Sequence, residues 1–396
     1  KQVYRPIRID NIGNGEFKFK NILKFADASD LFECKFEITD FSGIVTSGYV
    51  DFELLADSEC IVKIADAMDN FENETYIRFV FTAKADTLYW KKGFEVCFDQ
   101  LLLGGNKPEF VPCTDGECNL IENPLTFEVK TKNVTFIFDR RKAVISKIIK
   151  NSENLLKKPV CFNFFRAPTD NDTMKWDWYR AYLNDFITKV YETQAIVENG
   201  CVVIKSSQAY GKSIIAPFAK VEAQYKIHPD ATVEVSAKMT ADEKVELMPR
   251  FGIRMFLDKS FSDVEYFGYG PTESYCDKHQ AAYKGRFKST VSNMFESYIR
   301  PQENSSHFDT SYMSVKSSSD CIEFTADSFS FNVSEYTQEE LANKAHRFEL
   351  EKSGYTVVCA DFYMSGVGSA SCGPALLTKY RVPLPECKGT IRFKFK

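Results

Sequence analysis

The segment Phe32-Glu33-Cys34-Lys35-Phe36-Glu37-Ile38 alternates apolar and charged side chains without a break. Successive side chains of an extended chain point to opposite faces, so this pattern builds a strand with one dry and one wet side. The same period recurs at Ile77, Phe79 and Phe81, and at Phe94, Val96 and Phe98. It returns at 134–138, 202–205, 232–236, 245–256, 321–324, 329–333, 355–359 and 391–395. The chain contains 35 Phe and 19 Tyr, residues that pack well on a pleated surface and lose rotamer freedom in a helix. An antiparallel, almost entirely β protein is the expectation.

At 396 residues the chain exceeds one ordinary domain. Alternation lapses after Leu103, where Gly104-Gly105-Asn106-Lys107-Pro108 and then Pro112, Gly116 and Pro124 intervene. Residues 1–103 are thus read as a modest sandwich, 104–124 as a linker and 125–396 as one large sandwich. Two helices are expected. One follows Thr337-Gln338-Glu339-Glu340, a capping box leading to Leu341, Ala345 and Phe348 and enclosing His346; the other begins near Asp172 and runs through Trp176, Tyr179, Tyr182 and Leu183. The opening Val3-Tyr4-Arg5-Pro6 alternates like a strand and carries no signal peptide, so the chain reads as a cut piece.

Fifty basic against 55 acidic residues, with no basic run, disfavour a nucleic-acid partner, and no apolar stretch reaches membrane-spanning length. The 12 Cys lack CxxC spacing and fit a reducing cytoplasm. The four His (His228, His279, His307, His346) lack metal-ligand spacing, and Cys113 with Cys118 makes a poor zinc site, so no cofactor is expected in this chain. No pair of carboxylates is marked out for glycoside chemistry, and no nucleophile elbow, phosphate loop or dinucleotide fingerprint is present; Gly268-Tyr269-Gly270-Pro271 is read as a tight turn.

The most unusual run is RAPTDND at 166–172. As structure, Asp170 or Asn171 forms an Asx-turn and Asp172 caps the following helix. As a site, Asp170, Asn171 and Asp172 stand beside Trp176 and Trp178, whose rings suit the apolar C–H faces of a sugar. Arg166, behind Phe162, Phe164 and Phe165, looks buried.

RAPTDND, GYGPTESY (268–275), RPQEN (300–304) and GSASCGP (368–374), in this order, resemble the C-terminal region of the large β-galactosidases of glycoside hydrolase family 2. The resemblance implies an immunoglobulin-like β-sandwich followed by a large antiparallel β-supersandwich, galactose mutarotase-like, with few short helices. It implies that the catalytic (β/α)8 barrel, with its Glu pair and Mg2+ ligands, lies on a missing partner segment, and that Val3-Tyr4-Arg5-Pro6 is the strand leaving it. This part would then be non-catalytic, would complete the pocket for a β-galactoside and would support a homo-oligomer. The segment 173–178 matches a mobile loop, and Cys372 takes the place of a Trp that stacks on sugar in some members. Two other readings stay open: a free-standing galactose-binding sandwich, and a mutarotase-like epimerase using His279 and Glu273.

Overall fold

The computed structural model describes residues 2–68, 71–113, 115–368 and 373–396. The chain divides into two compact units: residues 1–109 with Gln280–Arg286, and Phe110–His279 with Phe287–Lys396.

In the first unit a three-stranded sheet (Ile7–Gly13, Glu16–Asn21, Glu59–Lys63) faces a four-stranded one (Phe32–Asp40, Gly43–Val50, Thr75–Ala83, Glu95–Gly104), an immunoglobulin-like sandwich. Phe32, Cys34, Phe36 and Ile38 are buried as the alternation requires. Phe17 and Phe19 meet Phe79 edge-on at 5.0 and 5.1 Å, a preferred geometry for aromatic quadrupoles.

The sequence pattern errs in three places here. The first residues form a 3-10 turn, Gln2–Tyr4, rather than a strand. Phe94, Val96 and Phe98 do not make the core face of their strand: a register irregularity between Phe81 and Thr82 turns Cys97 inward, and Phe94 is exposed. The far face of Thr75–Ala83 is also dry, since Arg78 and Val80 are both buried. For Arg78 the cover comes from far along the chain in Gln280–Arg286, where Tyr283 sits 3.7 Å beneath its guanidinium and 5.5 Å from the Phe98 ring.

The second unit holds a five-stranded sheet over residues 119–154 and a twelve-stranded antiparallel sheet. The stretch expected as linker already contains the strand Asn119–Glu122, which pairs with Thr126–Lys130. In the larger sheet nine strands follow one another in the spatial order Leu156–Asn163, Arg250–Asp258, Tyr355–Met364, Cys321–Ser334, Glu386–Phe395, Thr232–Ala241, Ala219–Ile227, Cys201–Gly211 and Ile187–Glu198. Phe162 and Phe164 stack on Phe251 within its core, and Tyr210 meets Phe162 edge-on. The expected runs 321–324 and 329–333 are one strand, in which an irregularity pushes Asp327 and Ser328 outward and residues 329–333 are then buried on both faces. The expected strand 245–256 begins only at Arg250: Pro249 has no N–H to give a ladder.

The helices are shorter than their patterns. Thr337 Oγ1 accepts the Glu340 N–H at 3.1 Å and caps Gln338–Asn343, but Lys344 is extended, so Ala345, His346 and Phe348 lie beyond its end and Phe348 is exposed. The second helix covers only Lys175–Arg180; Tyr182, at φ 60°, lies in the left-handed region that stops an L-residue helix. Among the described residues no helix is long and apolar enough to cross a membrane.

Candidate functional site

RAPTDND leaves the core strand Leu156–Asn163 through Phe164 and Phe165, and its first residue is fully buried. Arg166 donates from Nη2 to Asp172 Oδ1 at 2.7 Å and to the Gly366 carbonyl at 3.0 Å, and from Nη1 to the Ser365 carbonyl at 2.5 Å. A planar guanidinium can serve a carboxylate and two carbonyls at once, which an ammonium cannot match in geometry. Burial works against its charge, but Asp172, and at longer range Glu303, overcome this and hold its pKa above the ordinary value.

Asp172 therefore does not cap the following helix. Its Oδ2 accepts the Thr169 N–H and hydroxyl at 2.8 and 3.1 Å, closing the loop on itself, and the helix starts later without a side-chain cap. The expected Asx-turn is likewise replaced by longer-range bonds. Asn171 Nδ2 donates to the Val367 carbonyl at 3.0 Å, and the Asp170 N–H to Gln302 Oε1 at 3.3 Å.

The GYGPTESY and RPQEN motifs converge on the same place, and so does Gly368, the first residue of GSASCGP, of which 369–372 lie outside the described residues. The Glu303 N–H reaches the Ala167 carbonyl at 3.1 Å, the Ser274 N–H the Ser306 carbonyl at 2.7 Å, and the Ser305 N–H Glu273 Oε2 at 2.9 Å. Asp277 receives the N–H groups of Val367 and Gly368 at 3.0 and 2.7 Å. A Cβ on Gly366 would stand 2.3 Å from Asp277 Cγ, so only glycine allows this approach. Gly268 and Gly270 are not a turn: they end the strand Asp263–Gly270, and the chain turns after the cis bond to Pro271.

Beneath the loops lies a second buried ion cluster. Arg250 donates to Asp361 Oδ1 and Oδ2 at 3.1 and 2.6 Å and to Asn332 Oδ1 at 2.6 Å, and stands 3.7 Å from Glu303. Burial raises the carboxyl pKa of both Asp361 and Glu303, and Arg250 offsets part of that rise. Sequence reasoning passed over Arg250, Asn332 and Asp361. The available signal was a charged or amide residue set inside an otherwise apolar strand.

Among the expected site residues, Asp170 and Trp176 are exposed, Asn171 is half-buried, and Asp172 and Trp178 are buried. Trp178 packs against the Arg166 guanidinium at 5.5 Å and turns no face to solvent, while Trp176 lies 6.1 Å from Tyr179. Cys372 lies outside the described residues. Glu273 is occupied by Lys278 at 2.6 Å, Tyr298 and Ser305, and the His279 ring bonds the Tyr275 carbonyl at 3.1 Å. No three His, Cys, Asp or Glu side chains among the described residues come together to hold a metal ion.

His307 supports the loops from below. Its Nδ1 lies 3.0 Å from the Tyr269 carbonyl, and its ring packs between Tyr266 and Phe331. Burial, only partly opposed by the bond to Tyr269, lowers its pKa to about 4. The folded state thus keeps His307 neutral where the unfolded chain would protonate it, so stability present above pH ~6.5 is lost as pH falls toward ~4, by about 3 kcal/mol. Urea unfolding across that window should show His307→Gln losing about 3 kcal/mol less than the natural chain; parallel profiles would refute the assignment.

A family model described as "Beta galactosidase small chain" matches residues 130–396, and one described as "Beta-galactosidase, domain 4" matches residues 17–104. A β-galactosidase of Actinobacillus pleuropneumoniae is 32% identical over 99% of this chain and 39% of its own length. One of Staphylococcus xylosus is 27% identical over 100% of this chain and 40% of its own. The chain thus spans about two-fifths of the length of these relatives. A galactose 1-epimerase from Lactobacillus acidophilus aligns with 71% of the chain and 99% of its own at 8% identity and TM-score 0.34, a likeness too remote to speak to function. The small-chain match encloses all four sequence motifs and covers well over half of the chain, which therefore belongs to the β-galactosidase small chain family.

Proposed function

We propose that this chain is the non-catalytic C-terminal portion of a β-galactosidase that hydrolyses terminal β-galactosides with retention, and that its converging loops complete the sugar pocket of a separate catalytic barrel. The observation that carries this reading is the convergence itself. Segments at 166–172, 273–277, 302–306 and 365–368, spread over some two hundred residues, are tied together by mutual hydrogen bonds, buried Arg166 holding Asp172, Ser365 and Gly366, while Asp170 and Trp176 are left exposed and Asn171 half-buried beside them. A rigid base under a few exposed polar and aromatic groups is the construction a binding surface needs. Acid, nucleophile and Mg2+ chemistry belong to the barrel in this scheme; Asp170 and Asn171 would bond sugar hydroxyls and Trp176 would stack on a ring. Assembly into a homo-oligomer in a reducing cytoplasm fits the same reading, the described cysteines being free thiols.

The test is reconstitution with the barrel. The chain alone should not turn over a chromogenic galactoside, and the assembled enzyme should. In it, Trp176→Ala and Asp170→Ala should each raise KM for lactose roughly three- to tenfold with little change in kcat, the pattern of lost uniform binding. Unchanged KM in both variants would overturn the pocket role, and turnover by the isolated chain would overturn the non-catalytic one.

A further inference from the structure

The solvent face of the large sheet carries a groove of about 1300 Å³, larger than a typical small-molecule pocket. Its floor has a regular chemical order. Gln194, Lys205, Gln224, Ser236 and Thr390 stand opposite one another across five adjacent antiparallel strands. At the usual spacing between strands this row runs for roughly 19 Å, the length of about four linked sugar rings. Ser236 and Thr390 share a hydrogen bond of 2.8 Å, whereas the side chains of Lys205 and Gln224 make no hydrogen bond or ion pair with another described residue.

The rows on either side carry charges of both signs that are paired within the sheet, Arg392 with Glu234 at 2.7 Å and Lys238 with Glu386 at 2.9 Å. One wall is aromatic: Phe308, Tyr363 and Tyr380 line the groove half-buried, Tyr363 held by its hydroxyl donating to the Lys388 carbonyl at 3.0 Å.

We propose that this groove binds a neutral, linear oligosaccharide lying across the strands. Amide, hydroxyl and ammonium groups at strand spacing suit ligand hydroxyls, which donate and accept in turn, and ring faces suit the C–H faces of pyranoses. A peptide added as an extra strand is disfavoured, because the central strands of the floor already have both backbone edges paired. A strongly charged polymer of either sign meets like charges along the row edges, Glu222 and Glu234 or Lys238 and Lys388. Asp170, Asn171 and Trp176 do not line the groove, so the proposal stands independently of the pocket role given to them.

The experiment is calorimetric titration of the 396-residue chain with linear β-linked galactotetraose, galactose and tetragalacturonic acid. The tetraose should bind at least about tenfold more tightly than galactose, since only it can occupy the whole row, and the acid should bind more weakly than the tetraose. Gln224→Ala should weaken tetraose binding about tenfold, and Thr390→Val provides a second, fold-neutral variant on the same row expected to act in the same direction. Trp176→Ala should leave tetraose binding unchanged. Absence of tetraose binding at millimolar concentration, tetraose binding by both row variants as tight as by the natural chain, or tighter binding of the acid would each overturn the proposal; loss on Trp176→Ala alone would place the sugar at the loop cluster instead.

Discussion

Arg166→Met is expected to destabilise the second unit by about 3–5 kcal/mol, the range seen when one partner of a buried ion pair is removed. Met approximates the aliphatic volume, so the loss is electrostatic. Asp172 would keep its bonds to Thr169 but lose its cation in a place from which water is excluded, and the Ser365 and Gly366 carbonyls would lose their donor. Arg166→Lys should rescue only part of the loss, because one ammonium cannot reach all three acceptors in their plane. The double variant Arg166→Met with Asp172→Leu should recover much of the deficit, since no buried charge is then left unpaired. Urea unfolding measures all three, and a deficit below about 1 kcal/mol for Arg166→Met would show that the knot is not what holds the loops.

Arg250→Met should cost a similar amount at neutral pH, about 3–5 kcal/mol, and its cost should change with pH. Burial already raises the carboxyl pKa of Asp361 and Glu303, and Arg250 is the nearby cation that offsets it. Without it both rise further above their unfolded values. An acid whose folded pKa is raised loses stability as pH climbs above its unfolded pKa, so the variant's deficit should shrink on acidification toward pH ~4. This is opposite in sign to the His307 contribution, which is lost over the same acid range. Comparing Arg250→Met with the natural chain at each pH cancels the His307 effect that both share. A deficit independent of pH would mean that the two carboxylates are not the groups left exposed to the loss.

The alternation in Phe32–Asp40 made the first sandwich readable, because burial on one face needs nothing beyond local spacing. The same rule failed at Arg78 and Phe98, which Tyr283 covers from about two hundred residues away. Thr337 announced its helix through a bond three residues long, but where that helix ends is set by an extended Lys344 that no propensity marks. At the loop cluster, Arg166 stood out by its apolar neighbours. Asp172 had the right residue type for a helix cap, but bonds back to Arg166 and Thr169, six and three residues earlier, redirected it. Trp178 and Trp176, two positions apart, could not be told apart by sequence. One side of a short helix meets the Arg166 guanidinium and the other meets solvent.

The grouping of Gln280–Arg286 with residues 1–109 bears on how the gene can be dissected. A clone stopped at Glu109 would look like a complete module on paper, yet its product would lack the strip that covers Phe98 and stacks on Arg78. Newly wetted apolar surface of that kind invites aggregation. Poor solubility of such a truncation would therefore report a missing roof tile rather than an intrinsically unstable module, and supplying the seven-residue strip on a grafted hairpin is the repair the architecture suggests.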